Sequence, residues 1–433
     1  MNKHKHSLSA LTFLLIAIAP PASSETLQEA WQIATAEDLT IEAAELRVTA
    51  AEAELSAAKG GRWPTLVASA NASSFNETPA FDFSAAGLPG QLPLFGGSSQ
   101  LTADARVSWP IFTSGMLSNS VQAAKLSVNA QRKQAEAHSQ DVRLNVAAAY
   151  VGVLRAKSEL GVADSQVRSL TQHVDDVEDM FRTGAVAKND LLAAEVSLAA
   201  ARQRQLQAQN SVDLASAVYN KSLGRSLTNA VSLDENLPGL DSRLDINSLQ
   251  ALTELAFSNR EELAGLHSAA DATGARAEST RAQSRPQLAL VGGYTAMENN
   301  FLNREDFWSV GVGFQWAIFD SSRSRDRANA LSLQSSALYR EYRDLQSVIE
   351  LQVHSAWLQL NETNARIKLA SHAVEQADEN LRVVRDRYRN GEGTNTEVLD
   401  AEGLRTLSRS NYDNAQYDAA FARYRLQRAT GTL

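Results

Sequence analysis

From Val142 onward an apolar residue recurs at alternating steps of four and three: Val146, Ala149, Val153, Ala156, Leu160, Ala163, Val167, Leu170, Val174, Val177 and Phe181. The run returns 207 residues later, from Ile349 through Val353, Ala356, Leu360, Thr363, Ile367, Ala370, Val374, Ala377, Leu381 and Val384 to Tyr388, with Thr363 its one polar member. A mean spacing of about 3.5 residues specifies helices that supercoil around one another with a left-handed twist. The alanines in this seam demand close approach of the helix axes. No proline lies between Pro110 and Pro238 or after Pro286, so nothing breaks such helices from within.

The duplication extends beyond the seams. At an offset of 207, Trp109 meets Trp316, Ile111 meets Ile318, Gly184 meets Gly391 and Glu195 meets Glu402. At an offset of 222, Leu27 meets Leu249, Ala34 meets Ala256 and Pro64 meets Pro286. The difference places an insertion between Pro64 and Trp109, and the Gly- and Pro-rich stretch Asn76–Ser98 reads as that longer loop, with Glu298–Asp306 its counterpart. The organisation expected is a first repeat over 25–224, a linker over 225–247 and a second repeat over 248–433. Within each, a helix over about 117–182 or 322–389 spans about 100 Å at 1.5 Å per residue. Two shorter helices, over 25–59 and 188–223 or over 248–283 and 395–429, match it end to end.

Four segments alternate with a period of two. Leu101, Ala103, Ala105, Val107, Trp109 and Ile111 face away from Thr102, Asp104, Arg106 and Ser108. Trp308, Val310, Val312, Phe314, Trp316 and Ile318 do the same in the second repeat, expected as strands over about 101–112 and 307–319. Pro64–Phe75 and Pro286–Met297 are their partners. Strands of about ten residues with one apolar face and aromatic ends suit a membrane β-barrel. Four strands cannot close a barrel, and open edges in lipid cost several kcal/mol per unsatisfied group, roughly. Several copies must therefore share one barrel, and three would supply twelve strands.

The chain start fits export. Lys3, His4 and Lys5 precede the apolar run Leu8–Ala19 and the small residues Ala22, Ser23 and Ser24, a signal peptide over 1–24. Cysteine is absent, which removes disulfides, thiolate metal sites and a lipid-bearing N-terminal cysteine. A net charge of -9 argues against nucleic-acid binding.

At the far end of each seam the helix breaks, at Phe181-Arg-Thr-Gly184 and at Tyr388-Arg-Asn-Gly391. Asn189, or Thr394 and Thr396, would cap the helix that follows. With the signal, the duplicated helix–strand–strand–helix–helix units and both tips, the chain resembles the outer-membrane efflux protein family of TolC type. The resemblance implies a mainly α fold with β: a homotrimer with a twelve-stranded transmembrane barrel in the outer membrane and a long antiparallel coiled-coil barrel in the periplasm. It implies a duct for small toxic compounds or secreted proteins, served by an inner-membrane transporter through a periplasmic adaptor. It assigns Glu397 and Asp400 to the periplasmic aperture and Asp190 and Tyr388 to its closure. Gly393 stands where the family carries a basic residue, for which Arg387 or Arg389 would substitute. The tips at Gly184 and Gly391 would dock the adaptor, and Trp308 to Ile318 would meet lipid.

No nucleotide-binding loop, hydrolase elbow or zinc motif occurs, and neither a cofactor nor an enzymatic activity is expected. His173 and Asp176 share a helix face but read as a solvated coiled-coil surface. A secreted, filament-like coiled-coil protein is the alternative from another class, and the four alternating strands weigh against it.

Overall fold

The computed structural model describes residues 24–83, 87, 90–95, 97–236, 248–298 and 303–433. The expected signal peptide lies outside these but for Ser24, as do parts of the two inter-strand loops and residues 237–247 of the linker. In chain order the elements are α1 (Leu27–Glu37), α2 (Leu39–Gly60), β1 (Thr65–Ser74), β2 (Ala80–Asp82), β3 (Gln91–Pro93), β4 (Ser99–Phe112), α3 (Met116–Arg182) and α4 (Lys188–Ser222). The second half continues with α5 (Leu249–Asn259), α6 (Glu261–Ala282), β5 (Gln287–Met297), β6 (Asp306–Gln315), α7 (Arg323–Arg389) and α8 (Asn395–Thr430). Two compact units result: one from residues up to 37, 145–243 and 363–421, the other from 38–144, 244–362 and 422–433. Each draws on both sequence repeats.

The second unit holds a four-stranded antiparallel sheet in the order β1-β4-β5-β6. Its register places Leu66 opposite Val107, Val107 opposite Gly292, and Gly292 opposite Val310. Opposed residues share a face and neighbours along a strand alternate. One face therefore collects Leu66, Val107, Trp109, Leu290, Val310, Val312 and Phe314. The other collects Thr65, Arg106, Asp104, Ser309 and Gln315, with Val67, Val291 and Phe307 as apolar exceptions. Two expectations change at the strand ends. A bulge between Pro110 and Phe112 puts Phe112, not Ile111, opposite Leu288. Pro110 lacks the N–H that a regular ladder would use there. Strand β6 stops at Gln315, so Trp316 and Ile318 stand beyond it, 50% and 79% exposed. The loop after β1 also contains a small hairpin, β2 with β3, that the sequence did not suggest.

The helices expected over 25–59 and 248–283 are each interrupted. Asp38 stops the first: its backbone is extended and its carboxylate accepts from the amides of Thr40 at 2.7 Å and Ile41 at 3.2 Å, capping α2. Arg260, the equivalent under the 222 offset, stops the second and is 7% exposed. Its guanidinium donates to Glu262 at 3.0 Å and to Gln352 at 2.9 Å. Arg428 meets the same Glu262 and donates to Asp141 at 2.7 Å. Beside these charges Ile349, Val353, Ala356 and Leu360 of α7 pack on Ala256, Leu263 and Leu426.

In the first unit the seam is buried much as its spacing requires: Val146, Val153 and Val177 are 0% exposed, and Thr363 only 1%. Tyr150 donates to the carbonyl oxygens of Glu25 and Asp234, both at 2.8 Å, and Arg225 grips the Glu25 carboxylate with both terminal nitrogens. These bonds fix the chain on either side of α1 and α4.

Among the described residues no helix is long and apolar enough to cross a membrane. The register predicts that Phe314→Arg costs about 2–4 kcal/mol in a bilayer, whereas Gln315→Arg, on the other face, costs far less. Yields of membrane-inserted protein from the two variants check it. Equal yields would place the register one residue out.

Candidate functional site

The two helix-turn tips lie in the first unit, where the ends of α3, α4, α7 and α8 pack together through Val177, Ala194, Leu381, Tyr388, Val398 and Ala401. Each tip ends its long helix with the same turn. The Gly184 amide donates to the Phe181 carbonyl at 2.9 Å, and the Ala185 amide to Met180 at 2.8 Å. At the second tip Gly391 donates to Tyr388 at 3.0 Å and Glu392 to Arg387 at 2.8 Å. This pair of bonds satisfies the last helical carbonyls and needs a left-handed residue. Gly184 and Gly391 both have φ +77°, where a side chain is strained.

The helices that follow begin differently. Thr394 and Glu397 form a reciprocal cap on α8: the Glu397 amide donates to Thr394 Oγ1 at 3.3 Å, and the Thr394 amide to Glu397 Oε2 at 3.2 Å. Helix α4 starts after Ala187 with no side-chain cap, so Asn189 does not serve the role expected of it. Instead its amide donates to the Asp190 carboxylate at 3.3 Å.

Glu397 and Asp400 are both exposed on the first turns of α8. The Glu397 carboxylate is engaged by the cap and lies 3.9 Å from Arg387. Asp400 makes no hydrogen bond or ion pair among the described residues. Tyr388 is 4% exposed, and its hydroxyl has no partner there. Burial, then the charges of Asp190 and Asp176, raise its pKa. Asp190 and Tyr388 are therefore not joined by a direct hydrogen bond. A Cβ added at Gly393 would be tight, 3.2 Å from the Tyr388 amide nitrogen and 3.1 Å from Glu397 Oε2, so these neighbours would have to give by a few tenths of an ångström. Arg389 donates to Asp176 of α3 at 2.7 Å, and Arg387 to the Glu392 carbonyl at 2.9 Å.

His173 departs most from the expected solvated surface. It is 3% exposed, its ring centroid is 5.5 Å from that of Tyr388, and Nε2 lies 2.7 Å from Oδ1 of Asn395, itself 4% exposed. The Asn395 amide nitrogen donates to the Asp190 carbonyl at 2.9 Å. Position 173 immediately precedes Val174 of the seam, a flank that a coiled coil covers once a second hairpin packs there. Sequence reading weighed only its charged neighbours. Deeper in the same unit Glu402, 1% exposed, receives Arg385 and Ser169.

Three comparisons bear on this architecture. The model of the outer membrane efflux protein family matches residues 30–225 and 252–432. The alkaline protease secretion protein AprF of Pseudomonas aeruginosa is 24% identical over 304 residues, 68% of this chain; the chain spans only 62% of AprF, less than two thirds. The outer membrane efflux protein BepC of Brucella suis is 22% identical over 416 residues, covering 95% of this chain and 86% of BepC. In structure, the outer membrane protein VceC from Vibrio cholerae superposes with a TM-score of 0.81 at 18% identity, over 94% of this chain and 96% of VceC. A duplicated chain of two coiled-coil hairpins and four paired strands, matched over both repeats, belongs to the outer membrane efflux protein family.

Proposed function

We propose that three copies of this chain form one duct across the outer membrane and the periplasm, through which an inner-membrane transporter and a periplasmic adaptor pass small toxic compounds or secreted proteins. The observation that carries this reading is the sheet: four strands with one apolar face and two edges, β1 and β6, that pair with no further strand among the described residues. Lipid cannot satisfy the backbone groups of such edges. Pairing β6 of one copy with β1 of the next closes twelve strands. A filament-forming coiled coil gives such a sheet no purpose.

The repeats 25–224 and 248–433, joined by the linker, each contribute two strands and one hairpin to this duct after removal of the signal peptide. Trp308, Val310, Val312 and Phe314 face the lipid, with Trp316 and Ile318 at the rim. The Gly184 and Gly391 tips meet the adaptor. Glu397 and Asp400 from three copies ring the aperture, and Asp190 and Tyr388 belong to its closure. The resemblance to AprF, a protease secretion protein, supports secreted-protein cargo, and that to BepC, an efflux protein, supports efflux. Secreted proteins and drug susceptibility of a deletion strain separate the two.

The assembly is tested by electrophoresis of detergent-extracted protein. Unheated samples should migrate as trimers and heated ones as monomers. A chain that is soluble without detergent and forms fibres would end this reading.

The geometry of the acids ranks their effects. Glu397 is held by its cap and faced by Arg387, whereas Asp400 has no partner among the described residues, so Asp400 contributes more of the field at the aperture. In planar bilayers Asp400→Asn should weaken cation preference and block by a trivalent cation more than Glu397→Gln, which keeps the cap. The reverse ranking would move the constriction away from Asp400.

A further inference from the structure

We propose that His173 and Asn395 latch the two hairpins of each protomer together, and that uptake of a proton by His173 releases the latch. This deepens, and rests on, the reading of the tips as the gate of a duct. The bond between His173 and Asn395 joins α3 to α8, and the bond from Asn395 to the Asp190 carbonyl joins α8 to the start of α4. One buried amide thus ties the second hairpin to both helices of the first. It occupies the region where Asp190 and Tyr388 make no direct bond.

The bonding pattern fixes the protonation state. The Asp190 carbonyl can only accept, so the Asn395 nitrogen faces it and Oδ1 faces the imidazole. Nε2 of His173 must therefore carry a hydrogen. The neutral ring meets this need. A second proton would place a positive charge at a 3%-exposed site. The charged or titratable groups facing that site are Asp176 on α3, Asp190 on α4, Arg385, Tyr388 and Arg389 on α7, and Glu402 on α8. Asp176 is occupied by Arg389, and Glu402 receives Arg385 and Ser169 through Oε1, leaving Oε2 without a partner among the described residues; neither acid is hydrogen-bonded to the imidazole. Burial is the largest influence and pushes the His173 pKa down, with Arg385 adding to it; the bond to Asn395 and the charges of Asp176 and Glu402 oppose. The closed tip thus favours neutral His173, and an opened tip, which wets the ring, favours the charged form. Closure is fully supported above the ordinary histidine value of about 6.5 and is lost as pH falls below it.

Hydrogen exchange of detergent-solubilised full-length protein tests the latch without requiring conduction. His173→Gln keeps a donor toward Asn395 and removes the titration. At about pH 5.5 the first turns of α4 and α8 should exchange faster in wild type than in His173→Gln, and at about pH 7.5 the two should agree. One coupled proton allows up to about a tenfold rise in the open population per pH unit. Asn395→Ala should exchange faster at both pH values, while the remainder of α3 and α7 stays protected and reports an intact fold. Equal exchange of wild type and His173→Gln at both pH values, or wild-type protection in Asn395→Ala, overturns the latch. Single-channel recording then tests its role as a gate: acid should raise conductance in wild type and not in His173→Gln. The same acid response in both overturns that role. Exchange as expected with no conduction by any variant leaves the latch standing and overturns the duct.

Discussion

Close packing along a seam that repeats every 3.5 residues is the constraint on which the helical part depends. A straight helix drifts out of such a register, so the partners must coil to keep Val146, Val153, Leu170 and Val177 facing inward. Alanine at positions 156, 163, 356 and 370 lets the axes approach, and the buried Thr363 is tolerated without breaking the run. Once the seams are fixed, the places where helices end are fixed too. Those ends carry every polar arrangement discussed for the tips.

The sheet obeys a different constraint. Its alternation needs only two faces with different surroundings, and the register delivers them from Leu66 to Phe314 apart from the Pro110 bulge and the apolar Val67, Val291 and Phe307 on the polar face. The row through Leu66, Val107, Gly292 and Val310 crosses all four strands, so both repeats build one apolar surface. In the proposed trimer, the unpaired backbone groups along β1 and β6 follow from dividing one barrel among separate chains.

Both periodicities were legible because each is a backbone property written into many residues at once. The seams, the four long strands and the glycine turns at 184 and 391 all follow from spacing. What escaped was decided by single side chains in three dimensions. Asp38 is a good capping residue, but it sits in an alanine-rich stretch with helical composition, which hid the break before α2. The small hairpin β2–β3 rests on three-residue strands, too short for alternation to register. Asn395 looked like one polar residue among Thr394, Thr396 and Glu397. Only the packing of two hairpins brings it onto His173. Glu397 was expected at the aperture from the resemblance, but its duty in the α8 cap depends on the turn geometry.

Helices α3, α4, α7 and α8 all end on glycines with positive φ, at 184, 224, 391 and 431, and each pair is related by the 207 offset. Duplication has thus preserved the backbone while the side chains drifted apart. Lys188 stands where the second repeat has Asn395, Ala187 where it has Thr394, and His173 where it has Asn380. In the proposed trimer the six tips consequently alternate between two chemistries on nearly identical scaffolds. A docking partner meets a ring whose shape approaches sixfold symmetry and whose recognition is threefold, so the register in which it seats is set by residue identity rather than by form.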